Sequence, residues 1–73
     1  MDIVFTEERN GRIVYVEHNQ VATKERATIE MLKDYHFYAI EGNPDEIEKG
    51  YFTKDTAYVL YTNGDKLSWE ITE

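Results

Sequence analysis

The sequence predicts an α+β fold: a small, mainly antiparallel sheet of four or five strands in the order β-β-α-β-(short β or helical turn)-β-β, with one helix packed on one face. Two Asn-Gly pairs, Asn10-Gly11 and Asn63-Gly64, each sit between short runs rich in β-branched and aromatic residues. Asn-Gly suits a two-residue type I′ hairpin loop, because both central residues need φ above zero and these two residue types tolerate it best. Between the hairpins lies one stretch with apolar residues at helical spacing. Seventy-three residues make a single domain, residues 1–73, and a chain of this size buries only about 60% of the surface its unfolded form exposes.

The first hairpin is expected from residues 2 to 8 and 12 to 18. A two-residue loop pairs Arg9 with Arg12, Glu7 with Val14, Phe5 with Val16 and Ile3 with His18. One face then holds Ile3, Phe5, Val14 and Val16, and the other Val4, Thr6, Ile13 and Tyr15. A three-residue loop with Gly11 as a bulge would shift this register.

Thr23 is positioned as an N-cap, with Glu25 where the helix dipole favours negative charge. The helix follows from about Lys24 to Asp34, with Ala27, Met31, Leu32 and Tyr35 facing the core and Arg26, Glu30 and Lys33 facing water. About eleven residues at roughly 1.5 Å each cover only part of one sheet face. Tyr35 to Glu41 is apolar on both parities and reads as a strand buried on both sides. Gly42-Asn43-Pro44-Asp45 is a turn. Asn43 as N-cap, Pro44 at N1 and Gly50 beyond the end frame a single helical turn, and a short edge strand through Tyr51 and Phe52 competes for residues 44–53. Residues 56 to 62 and 66 to 72 form the second hairpin. Its two-residue register pairs Leu60 with Leu67, Tyr58 with Trp69 and Thr56 with Ile71 on the helix side, leaving Ala57, Val59 and Tyr61 on the other.

Composition narrows the function classes. Without cysteine there is no disulfide and no thiolate metal site, and cytoplasmic residence is the expectation. The N-terminal residues show no secretory signal, and the longest apolar run, Ala57 to Tyr61, is too short for a membrane span. Fifteen acidic against eight basic residues give a net charge of -7, which repels nucleic acid and anionic lipid and favours a basic protein partner. The excess lies mostly after residue 40, where eight acids face three bases, and is densest at Glu41, Asp45, Glu46 and Glu48.

Catalytic and cofactor motifs are sparse. Ser68, the only serine, falls inside an expected strand without a G-x-S-x-G elbow. The glycines are dispersed one per turn, so no loop lines several amides up on a phosphate. His18 and His36 have no ligand spacing, although Asp2 or Glu17 stands near His18. The acidic turn lacks the order of an EF-hand loop, with Phe52 where the bidentate glutamate would fall. No catalytic residue, cofactor or metal is expected.

Aromatic residues make up 14% of the chain, six of them tyrosine. Phe5, Phe37, Tyr58 and Trp69 are expected against the helix. Tyr15, Tyr38 and Tyr61, with Val4, Ile13 and Val59, are left over as an apolar surplus on the outer sheet face, the composition of a protein interface. In general character, the chain resembles the small inhibitors and accessory proteins made by phages and mobile elements, a likeness of type that rests on no motif. The expectation is a non-enzymatic protein-binding module that inhibits or modulates a basic-surfaced protein, nucleic-acid-binding proteins being one such class. Its contacts would be Glu41, Asp45, Glu46 and Glu48 with Tyr15, Tyr38, Tyr61, Val59 and Ile13. Same-face carboxylates about 7 Å apart on a strand approach the phosphate repeat, so partial mimicry of nucleic acid is geometrically open. The alternative is a structural subunit whose sheet face closes a homodimer.

Overall fold

A computed structural model describes residues 1–73. Five strands form one antiparallel sheet: β1 (Asp2–Arg9), β2 (Arg12–Gln20), β3 (Ile47–Phe52), β4 (Thr56–Tyr61) and β5 (Lys66–Thr72). Their spatial order is β2-β1-β5-β4-β3, so the two long hairpins meet along β1 and β5 and both turns lie at one end of the sheet. Helix α1 (Lys24–Ala39) crosses one face, and a 3-10 turn (Pro44–Glu46) leads into β3. The result is an α+β fold two layers thick. No helix is long and apolar enough to cross a membrane.

The helix starts where Thr23 Oγ1 accepts the Arg26 N–H at 3.1 Å and is pinned at that end to the β3–β4 turn. There Lys24 Nζ lies 2.6 Å from Asp55 Oδ1, and the Thr28 hydroxyl donates to the Lys54 carbonyl at 3.0 Å. It does not stop at Asp34. The expected strand from Tyr35 to Glu41 is instead the last turns of α1, ending where the Ile40 N–H donates to the His36 carbonyl. Ala27, Met31, Tyr35 and Ala39 recur every four residues, which places them in one stripe along the helix. Ala27 and Met31 are fully buried, with Tyr35 and Ala39 packed at the core edge. Gly42 and Pro44 supply the stop. The 3-10 turn and the edge strand, posed as rivals for residues 44–53, both exist in succession: Asn43 Oδ1 accepts the Asp45 N–H at 3.0 Å, and β3 follows at once.

The core comprises Ile3, Ala27, Met31, Ala57, Val59, Leu67 and Trp69. This set corrects the second hairpin. Val59 pairs with Leu67, Ala57 with Trp69 and Tyr58 with Ser68, one residue out of the expected register. Tyr61 N–H donates to Asp65 O at 2.8 Å and Gly64 N–H to Tyr61 O at 3.0 Å, closing a three-residue loop with Gly64 at φ +92. That extra loop residue inverts the face list of β4, since side chains alternate with a period of two. Val59 and Tyr61 point to the helix side, whereas Tyr58 stands on the outer face, stacked on Tyr51 at 5.4 Å with Lys66 above it.

The first hairpin has the expected two-residue loop, Asn10 at φ 53 and Gly11 at φ 79, closed by Arg9 and Arg12. Beyond it, a bulge between Glu7 and Glu8 takes in Val14, so Tyr15 pairs with Glu7 and Val16 with Thr6. Tyr15 thereby moves to the helix side, beside Phe5 at 6.1 Å between ring centroids. The outer face of the central strand β5 reads Lys66, Ser68, Glu70 and Thr72. The apolar residues on that face are Val4, Ile13, Val16 and Leu60 with the stacked Tyr51 and Tyr58, set among polar neighbours. Phe37 is a further correction: it lies on α1 and points outward, 61% exposed.

Candidate functional site

The helix packs on β1, β3, β4 and β5, while the outer strand β2 extends past its cover. Between helix and overhanging hairpin runs a groove. One wall is the helix stripe Arg26, Glu30, Asp34 and Tyr38, spaced four apart beside the buried stripe. The other wall is Tyr15, Glu17 and Asn19, alternate residues of β2. Ile3, Phe5, Trp69 and Leu67 make the floor. Helical and extended periodicities thus lay two polar walls along an apolar bed about 18 Å long, the rise of the helix from Arg26 to Tyr38.

The groove is widest beside the two hairpin turns, where a cleft of about 640 Å³ opens among Phe5, Tyr15, Tyr38, Tyr61, Glu7, Glu46 and Asp65. The aromatic rings form a chain: Tyr15 on Phe5, Phe5 on Trp69 at 5.3 Å, and Trp69 on Tyr38 at 5.8 Å. Glu46 is held there by the 3-10 turn, its carbonyl accepting the Thr62 N–H at 2.9 Å. Asp65 is held by the hairpin loop, its N–H donating to Asn63 Oδ1 at 2.9 Å.

Electrostatically the groove is negative. Six carboxylates, Glu7, Glu17, Glu30, Asp34, Glu46 and Asp65, line it against two cations, and both cations are engaged. Arg9 lies 2.9 Å from Glu7 and Arg26 lies 3.3 Å from Glu30. Two titrating groups register the field. Burial, then Glu30, with Glu17 adding, pushes the Asp34 carboxyl above its ordinary value, against a hydrogen bond from Trp69 that pulls it down. Burial, then Tyr38, Glu46 and Glu7, pushes the Tyr61 hydroxyl above 10.0. A cationic side chain in this groove would find aromatic faces, carboxylates and little competing positive charge.

The residues singled out from sequence are divided among several places. Tyr15, Tyr38, Tyr61 and Glu46 meet in the wide cleft. Glu41 follows the helix end with its carboxylate 3.8 Å from His36 Nδ1, and Asp45 and Glu48 are exposed on the 3-10 turn and β3. Ile13 is exposed on β2, outside the groove, and Val59 at 0% exposure belongs to the core. Glu7, Glu17, Glu30, Asp34 and Asp65 escaped the sequence reading, although the fourfold spacing of Arg26, Glu30, Asp34 and Tyr38 was there to be read. Elsewhere His18 Nδ1 sits 2.6 Å from Asp2 Oδ2, and no group of three or more metal-ligating side chains gathers there or anywhere else. On the outer face of the helix Ile29, Phe37 and Ile40 are exposed, and so is Leu32, expected to face the core, which lies one residue past the buried Met31 and turns away from the sheet. Comparison with family models, curated proteins and solved structures returns no match to this chain.

Proposed function

We propose that this chain is a non-enzymatic protein-binding module that seats an extended basic segment of a partner protein along the groove between α1 and β2, and modulates that partner by occupying it. The observation that carries the reading is the pairing of an aromatic bed with four carboxylates, Glu17, Asp34, Glu46 and Asp65, that have no cationic side chain within salt-bridge distance. Arginine is the side chain such a surface favours, because its guanidinium stacks on aromatic rings and bonds carboxylates through a planar fork. The net charge of -7 steers such a partner from a distance. A protein whose basic surface otherwise grips nucleic acid is the class that meets both requirements, and the small phage inhibitors remain the type this chain is likened to. Partial nucleic-acid mimicry in the strict sense is less favoured, because Glu41, Asp45, Glu46 and Glu48 do not line up on one strand face.

Capture from cell extract with the wild-type chain and with a Glu17→Gln/Asp34→Asn/Glu46→Gln variant tests this. Proteins held by the first and lost by the second should be basic. With one of them in hand, the variant should associate more slowly and with a flatter salt dependence, dissociation changing less. An unchanged association rate at low salt would remove the groove from the account.

A further inference from the structure

We infer that β2 is a self-complementary edge through which two copies of this chain join their sheets about a two-fold axis. The inference is independent of the groove's occupant. All nine residues of β2 are exposed, and Ile13, Val14, Tyr15 and Val16 stand 46% to 63% exposed in one uninterrupted apolar run. An open, long apolar edge is a template for another strand. Taken by itself β2 is charge-balanced, with one acid, Glu17, which also borders the groove, against one base, Arg12. Those two charges bracket the apolar run, so a two-fold through its centre brings each Arg12 opposite the Glu17 of the other copy and each Ile13 opposite the other's Val16.

The backbone allows that register because of the bulge. The bond from Val21 N–H to Met1 O fixes the alternation of the β1–β2 ladder from one end, and the closing pair Arg9–Arg12 fixes it from the other. Counted from either end, Ile13 and Val16 fall at positions that turn their main-chain groups to the open edge. Without the bulge, residues three apart would point opposite ways; with Val14 and Tyr15 both opposite Glu7, they point the same way. This register pairs residues 12 to 17 of each copy and buries on the order of 700 Å² in total, below the standard size of a specific interface, so the dimer is weak, with a dissociation constant on the order of 100 µM. In it the two helices lie on the same side of a ten-stranded sheet and the two grooves open toward the seam.

Sedimentation equilibrium over roughly 5 to 500 µM, a range that brackets the expected constant, should show the 8.6 kDa chain doubling in mass. Arg12→Glu and Glu17→Arg should each weaken dimerisation about tenfold, since each dimer gains two like-charge pairs, and their combination should return it to within about threefold of wild type. Both side chains are exposed, and unchanged circular dichroism would verify the fold of each variant. A wild-type monomer at the highest concentration would overturn the inference. So would a dimer indifferent to both reversals, or single reversals that weaken it without recovery in the pair.

Discussion

Buried at 2% exposure with Phe5 and Tyr38 against its ring, Trp69 belongs to the core and to the groove at once. Truncating it removes the largest buried side chain and opens a cavity that neighbouring rings cannot fill, so Trp69→Ala should cost about 3 to 5 kcal/mol in urea unfolding. A loss below about 1 kcal/mol would mean that the β5 register is wrong. Asp34 carries a different signature. Its folded-state pKa is raised, so the native chain holds that proton more tightly than the unfolded one, and the associated stability is present below the ordinary value of 3.8 and lost as pH rises through the raised value. At neutral pH the ionised carboxyl therefore opposes folding. Asp34→Asn should raise the neutral-pH melting temperature and remove a falling limb from the stability profile just above pH 3.8; an unchanged profile would place the carboxyl in an ordinary solvated setting. A site that stores unfavourable negative charge in the free protein is one where a bound cation gains most.

Among the elements, what was local was legible and what depended on a single added residue was not. Thr23, Asn43 and the Asn10-Gly11 turn do what their chemistry dictates, because caps and turns are decided within a few residues, whereas Asn63-Gly64 reverses the chain through a three-residue loop in which Gly64 alone takes a positive φ. Both hairpins were recognised. Their registers were not, since one residue of loop at Gly64 or one bulged residue at Val14 exchanges the two faces of a strand and neither leaves a compositional mark. That exchange moved Val59 into the core and Tyr15 and Tyr61 into the groove. The end of the helix was misread for a different reason: aromatic residues from Tyr35 to Tyr38 favour strands by propensity, but packing of the stripe continued by Tyr35 and Ala39 prevailed. Carbon chemical shifts should be helical through residue 39 and extended from 47 to 52; extended shifts at 35–39 would restore the shorter helix. Thr23→Ala should cost about 1 kcal/mol, the usual worth of an N-cap.

For the whole molecule, the sheet is wider than its helix, and the consequences fall on one side. The helix covers β3, β4, β5 and β1, and the overhang of β2 creates both a groove walled by carboxylates and an open strand edge with balanced charge. The two proposed contacts, a basic segment in the groove and a second copy on the edge, therefore adjoin each other along β2. The groove was only partly legible in the sequence, through its tyrosines and Glu46, because its acids come from five elements distant in sequence and converge only when the registers are correct. Binding there should weaken steeply with salt, since its favourable term is largely between charges that water and ions screen. The most direct measurement is an NMR titration of the isotope-labelled chain with an arginine-rich peptide of about eight residues, long enough when extended to span the groove, beside a glutamate-rich control. The account predicts shifts concentrated at Tyr15, Glu17, Asp34, Tyr38 and Tyr61 with the arginine peptide alone, lost in the Glu17→Gln/Asp34→Asn/Glu46→Gln variant. Shifts spread evenly over Glu41, Asp45, Glu48 and Glu70, or identical in wild type and variant, would contradict it.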